Sequence, residues 1–186
     1  SLSMKQKYPD QEVIAPGTVI ISAAGHCTDI RKVIEPTLIA DGGDIFYINM
    51  SFSDYQLGGS SFAQVISKIG QNAPDVSDAN KFKAAFNVLQ SLIQDNQIVA
   101  GHDVGSGGLI TTLLEMTFAG INSGAEFRLD HLTETDSIKL LFAENVGIVF
   151  QAKLGQEESI ISAFNEVAVP CVRIGKFKSG GTVSIV

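Results

Sequence analysis

Tryptophan is absent from these 186 residues, cysteine occurs twice and proline five times. Cys27 and Cys171 lie far apart and in no Cys-x-x-Cys or Cys/His cluster. That spacing argues against a disulfide framework and against a zinc site, and leaves the expectation of two buried, reduced thiols in a cytosolic chain. Charge is also scarce. Only 18% of residues are charged and 45% are hydrophobic, which excludes a disordered chain. Basic residues number 13 against 20 acidic ones, for a net charge of −7, so the basic face of a nucleic-acid binder is missing. A phosphorylated ligand is not excluded, because backbone N–H groups hold phosphate without bulk positive charge. No run approaches the roughly 20 apolar residues that span a bilayer. No basic-then-apolar leader opens the chain. The expectation is a soluble, cytoplasmic protein with no membrane partner. Repeats, low-complexity tracts and long linkers are missing as well. Residues 4–186 therefore read as a single domain, and Ser1-Leu2-Ser3 ahead of Met4 as a cloning scar on an expressed fragment of a longer gene product.

What is present is an alternation of β-branched runs and helical periodicities. Strands are expected over 17–23, 44–50, 97–103, 125–129, 146–152, 170–177 and 182–186, the last two joined across Ser179-Gly180-Gly181 as a closing hairpin. Strand 146–152 is apolar enough to be central. Phe62, Val65, Ile66 and Ile69 recur at helix spacing before Gly70. The clearest helix spans 77–95, where Phe82, Ala85, Phe86, Leu89, Leu92 and Ile93 share a face behind a cap at Asp75, Ser77 or Asp78. Further helices follow Gly108, ending near Gly120, and cover 136–144 and 156–167. Interleaved strands and helices of this kind predict one layered domain of helices packed on a sheet.

One segment carries candidate chemistry: Gly101-His102-Asp103-Val104-Gly105-Ser106-Gly107-Gly108. It reads as a strand end, a glycine-rich turn and a helix start. Glycines let backbone approach a ligand, and free N–H groups at a helix start favour an anion. Asp103 at the strand end is the candidate Mg²⁺ ligand, since Mg²⁺ takes one or two carboxylates together with phosphate oxygens. Gly105, Ser106, Gly107 and Gly108 are the candidate nucleotide-phosphate turn. The plainer alternative is an ordinary strand-to-helix connection capped by Ser106. No Gly-Lys-[Ser/Thr] follows, so this is no Walker loop. His102 reads as a hydrogen-bonded structural histidine, and Leu57-Gly58-Gly59-Ser60 as a turn with an N-cap. His26 and Cys27, as strand neighbours, point to opposite faces and make no catalytic pair. Glu115 and Glu144 read as helix residues that solvent would accommodate.

Taken with its surroundings, the segment GHDVGSGGLITTLLEMTFAG (101–120) resembles a family signature. That signature is His-Asp-x-Ser-Asp-Gly-Gly-Leu…Leu-Glu-Met-x-Phe-Ala-Gly of the phosphoribosylformylglycinamidine synthases (formylglycinamide ribonucleotide amidotransferases). DIRKVIEPTL (29–38), LGGSSFAQV (57–65), residues 74–86 and LFAENVGIVFQ (141–151) follow in the family's order. The resemblance implies the last C-terminal-type subdomain of the synthetase part. Its fold would be α+β, a mixed sheet with packed helices, like the C-terminal domain of aminoimidazole ribonucleotide synthase. It also implies ATP and Mg²⁺ as cofactors, glutamine as amido donor, and the sister synthetase subdomains and a glutaminase domain as partners. The family's metal aspartate falls on Asp103. Its nucleotide-contacting serine falls on Gly105 and the next aspartate on Ser106, so Ser-Asp has become Gly-Ser here. No catalytic residue is expected within the chain, and one domain supplies one wall of a composite site, inactive alone. The alternatives are a sibling enzyme of the superfamily and a free-standing module that holds a phosphorylated ligand.

Overall fold

The computed structural model describes residues 4–15 and 20–186, with the side chains of Met4 and Ala15 excepted. Residues 1–3, on which the expected scar falls, and residues 16–19 lie outside it. The chain divides into two units, Ser1–Ile30 and Arg31–Val186.

In the first unit, β1 (Met4–Lys7) and β2 (Glu12–Ala15) form an antiparallel ladder, with Lys5 opposite Ile14 and Lys7 opposite Glu12. The Tyr8 N–H donates to Gln11 O at 2.8 Å and closes the turn, and Lys5 Nζ pairs with Glu12 Oε1 at 2.8 Å. The strand expected over 17–23 falls partly on residues outside the described ones. Its described part, 20–23, is not a strand, and Ile20 and Ile21 are 87% and 86% exposed. β-branched residues favour a strand only where a neighbour pairs with them and one face is buried, and neither condition holds here. Cys27 is exposed in the same irregular stretch, contrary to the expectation of two buried thiols.

The second unit is built on a six-stranded sheet. Its strands are β3 (Gly42–Asn49), β4 (Ile98–Asp103), β5 (Ser123–Phe127), β6 (Gly147–Lys153), β7 (Val172–Ser179) and β8 (Val183–Ile185), in the spatial order β4-β6-β3-β7-β5-β8. All neighbours are antiparallel except β5 and β8, which run parallel. Alternation along the strands sends side chains to two cores. From β3, Ile45 and Tyr47 enter one core, Phe46 and Ile48 the other. Helices α3 (Gly108–Phe118) and α4 (Ser137–Phe142) cover the first face through Leu109, Leu113, Met116 and Leu140. Helices α2 (Ala79–Gln94) and α5 (Glu157–Glu166) cover the second through Ala85, Leu89, Leu92, Ile160 and Phe164. On β4, Ile98 and Ala100 would share a face by simple alternation, yet they enter different cores because the ladder to β6 shifts register between them.

Two further sequence expectations are corrected. The helical pattern through Ile69 yields only α1 (Ser61–Val65). Beyond it the chain folds back, so that Gly58 N–H donates to Asn72 O at 2.7 Å and Gly59 N–H to Ile69 O at 2.7 Å. Continuing the helix would forfeit both bonds, and Val65 and Ile69 are left 83% exposed. The closing hairpin is also absent. β7 and β8 flank β5 instead of pairing, because the Gly180 and Gly181 N–H groups both donate to Asn122 O and carry the chain across the start of β5. Gly124 permits this crossing: a Cβ there would lie 2.3 Å from Thr182 O.

Candidate functional site

β4 delivers the glycine-rich segment to one end of the sheet. Its ladder to β6 runs through Asp103 opposite Ile148, and Val104 N–H adds a bond to Gly147 O at 2.9 Å. Val104 is buried while the Asp103 side chain is 84% exposed, so the backbone is fixed and the carboxylate projects outward. Thr112 Oγ1 on α3 donates to Asp103 O at 3.0 Å and ties the helix to the strand end. Asp103 borders a shallow cavity of about 340 Å³ with Ile34, Pro36, Gly101, His102 and Ile148.

His102 is held from both sides. Its Nδ1 lies 2.7 Å from Asp103 O and its Nε2 3.1 Å from Glu115 Oε2. Both ring nitrogens face oxygens of the fold, which is the structural role expected for it. Glu115 is therefore a partner of His102 across α3 and β4.

The turn itself differs in detail from a Ser106-capped helix. The cap residue is Gly107, at φ +91°, and it offers no side chain to the helix N–H groups. Ser106 is exposed. A residue distant in sequence supplies the missing acceptor. Glu144 Oε1 accepts from Gly107 N–H at 2.8 Å and from Ser61 N–H at 2.8 Å. One carboxylate oxygen thus joins the start of α3 to the start of α1, two glycine-rich turns about 45 residues apart in the chain. Partial burial pushes the Glu144 carboxyl upward, but the Gly107 and Ser61 N–H groups and the Ser61 hydroxyl outweigh it, and its pKa lies below the ordinary 4.5. The next residue, buried Asn145, pins a third segment. Its Oδ1 accepts from Gln56 N–H at 3.2 Å, and its Nδ2 donates to Ser51 Oγ at 2.9 Å and Asp54 O at 3.1 Å.

Donors in the turn are consequently divided. Gly107 N–H serves Glu144, and Gly108 N–H serves Gly105 O at 3.0 Å. The N–H groups of Gly105 and Ser106 have no acceptor among the described residues, and both residues are exposed beside Asp103. Gly108 has a packing role, since a Cβ there would sit 2.7 Å from Leu141 O on α4. At Gly105 the nearest atom to such a Cβ is Asp103 Oδ2, at 3.9 Å.

The sequence did not reveal Glu144 and Asn145 as the anchors of these loops. Both stand in LFAENVGIVFQ (141–151), one of the segments in the family's order, but that segment carried no role for either residue. In Leu57-Gly58-Gly59-Ser60 the expected cap is present, with Ser60 Oγ accepting from Ala63 N–H at 3.2 Å. Burial pushes the Cys171 thiol up to about 12, which keeps it protonated in neutral solution. Among the described residues no three His, Cys, Asp or Glu side chains gather into a metal cluster. Asp103 alone fits the protein's minimal share of a Mg²⁺ shell, one carboxylate beside phosphate and water oxygens.

A mixed sheet with helix pairs on both faces is the architecture of a known domain class. Residues 43–186 match the family described as AIR synthase related protein, C-terminal domain, and the chain belongs to that family. In sequence it is 33% identical over 188 residues to human phosphoribosylformylglycinamidine synthase, covering 100% of this chain. It is 35% identical over 191 residues to a probable phosphoribosylformylglycinamidine synthase of Caenorhabditis elegans, covering 95% of this chain. The match spans 14% of the length of each of these relatives. In structure it is similar to T. maritima PurL complexed with ATP, with a TM-score of 0.63 at 14% identity, covering 84% of this chain and 25% of that one. E. coli HypE, a hydrogenase maturation protein, shares the fold at a TM-score of 0.55 and 15% identity, covering 82% and 48%. No helix among the described residues is long and apolar enough to cross a membrane.

Proposed function

We propose that this chain is the last C-terminal-type domain in the synthetase part of a phosphoribosylformylglycinamidine synthase. The full enzyme would use ATP and glutamine to convert formylglycinamide ribonucleotide to formylglycinamidine ribonucleotide in purine biosynthesis, in the cytoplasm. Its partners are the sister synthetase domains and the glutaminase domain of the same polypeptide. The observation that carries this reading is the strand end at 103–106. An outward carboxylate and two exposed backbone N–H groups with no acceptor among the described residues lie together there on a backbone clamped from behind by Glu144.

In this reading Asp103 contributes one carboxylate to Mg²⁺, which neutralises phosphate charge when bound. Gly105 and Ser106 contribute N–H groups, and Ser106 a hydroxyl, to the nucleotide phosphates. Gly107 and Gly108 act indirectly by fixing the turn against Glu144 and α4. This amounts to one wall of a site. The glutaminase nucleophile and the remaining metal ligands belong to the other domains, so the chain alone is inactive. The Gly-Ser pair at 105–106 favours a second reading, a free-standing module for a phosphorylated ligand.

Calorimetric titration with ATP or ADP, with and without Mg²⁺, separates the two. The composite-site reading expects no heat of binding at millimolar nucleotide. Tight Mg²⁺-dependent binding that vanishes in Asp103→Ala would overturn it in favour of the module. The reading frame flanking this sequence gives an independent check, since the first reading requires ATP-binding motifs upstream and a glutaminase downstream.

A further inference from the structure

Two strands from the glycine turn, the same end of the sheet holds a cavity that the synthetase reading does not use. It measures about 390 Å³ and is lined by Tyr47 and Asn49 of β3, the loop 52–55, Lys81 of α2, the segment 131–133, and Pro170 and Val172. It shares no lining residue with the Asp103 turn or with Glu144. Its volume is at the small end of the roughly 300–1,000 Å³ range of ligand pockets.

The polar inventory of this cavity is unbalanced. Asn49 Oδ1 is occupied by the N–H and hydroxyl of Ser51, so its amide nitrogen faces Tyr55 and Ser53 O. The Tyr55 hydroxyl donates to the Tyr47 hydroxyl at 3.3 Å. That one bond engages one of the two phenolic protons, so the pair keeps a second proton without an acceptor among the described residues, although Tyr47 is only 2% exposed. Burial, then the neighbouring phenol, pushes the Tyr47 pKa well up, and burial raises that of Tyr55 as well, so both stay protonated in neutral solution. Lys81 Nζ sits 4.8 Å over the Phe52 ring and forms no ion pair among the described residues. Ser53 Oγ is already committed to Asp75 O at 2.7 Å. His131 adds no donor, since its Nε2 lies 2.8 Å from Arg173 O and its Nδ1 3.4 Å from Asp130 Oδ1. Asp54, the one carboxylate in the lining, is exposed, so water screens its charge. The surplus is therefore one of donors: a buried phenol and an ammonium. Phe52, Leu132, Pro170 and Val172 supply the apolar wall between them.

We infer that this cavity is a binding site for a small aromatic carboxylate. One carboxylate oxygen accepts from the Tyr47 hydroxyl, Lys81 balances the charge, and the flat apolar body packs on Phe52, Leu132 and Val172. A phenolic proton held in a buried pair gains an acceptor from such an anion, and the Lys81 ammonium on the same lining gains a counter-charge. This inference is independent of the nucleotide reading.

The test is titration of the ¹⁵N-labelled chain with sodium benzoate against the neutral isostere benzamide, at matched ionic strength, read by amide chemical shifts. The expected result is saturable shifts at Asn49, Phe52, Tyr55, Lys81 and Leu132, with a Kd on the order of 1 mM for benzoate and no saturation by benzamide. Lys81→Met and Tyr47→Phe should each weaken benzoate about tenfold, the scale of one charge-assisted hydrogen bond. Lys81 is half-buried on α2 outside the core clusters, so Lys81→Met decides the matter if Tyr47→Phe fails to fold. Equal binding of the two probes, unchanged benzoate affinity in Lys81→Met, or no saturable shift at about 10 mM benzoate would each overturn the inference.

Discussion

Glu144 stabilises this fold by accepting where a helix start has no acceptor of its own. Removing its carboxylate in Glu144→Ala strands the N–H groups of Ser61 and Gly107, each bonded at 2.8 Å. Both sites are partly open to water, so the expected cost is about 1–2 kcal/mol, toward the low end for two lost bonds to a charged group. Urea unfolding at neutral pH measures it. The pH dependence has a definite sign. The folded-state pKa lies below the ordinary 4.5, so the unfolded chain binds the proton more readily. The charge-dependent share of the stabilisation is complete above about 4.5 and fades as pH falls through the folded value. The gap in stability between the wild type and Glu144→Gln should therefore be largest at neutral pH and close on acidification. A gap that widened in acid would contradict this account. Asp103 behaves differently: 84% exposed and outside the core, it should tolerate Asp103→Ala within about 0.5 kcal/mol.

At the scale of elements, the glycines of the 105–108 turn do different work. Gly108 has φ +77° and lies against the backbone of α4, where an added Cβ would meet Leu141 O and Phe142 C at 2.7 Å. Gly108→Ala must push α3 away from α4 and should cost more than about 2 kcal/mol through strain and overpacking together. Gly105 has open space and no positive φ, so Gly105→Ser should leave the thermal midpoint nearly unchanged. Thermal denaturation of the two variants side by side checks the contrast. The sequence already carried the elements built on long periodic patterns: α2, with Asp78 among its three candidate caps, α3, α5, and the strands β3, β4 and β6. It placed Asp103 and the glycine turn together on a strand end. It did not carry what long-range bonds decide. The fold-back at Asn72 that stops α1, the Asn122 carbonyl that separates β7 from β8, and the carboxylate at 144 all act between residues distant in the chain. No local period encodes such a partner.

At the scale of the whole sheet, one strand joins the two cores of the second unit. β6 lies between β4 and β3, and its residues alternate into both cores: Val149 into one, Phe150 and Ala152 into the other. Gln151, fully buried, uses its amide to hold residue 39 and Gly43, with Oε1 accepting from Ile39 N–H at 2.9 Å and Nε2 donating to Ile39 O at 3.0 Å. The strand is preceded by Glu144 and Asn145, so the anchors of three loops are mounted on the best-buried part of the sheet. A site assembled this way inherits its rigidity from the core. Phe150 is the place to test that coupling. Its ring stacks on Phe46 at 5.6 Å and approaches Phe164 at 6.1 Å, tying the sheet to α5. Phe150→Ala should cost about 3–5 kcal/mol, as a fully buried aromatic whose cavity cannot collapse. Because Phe150 pairs with Gly101 on β4, the loss should also reach the Asp103 turn. Amide exchange would read it as lost protection at Val104 and Gly107 as well as around α5. Phe118→Ala, at a 71% exposed ring on α3, is the matched control and should leave both unchanged. If exchange at Val104 and Gly107 were untouched in Phe150→Ala, the turn would owe its order to local bonds alone.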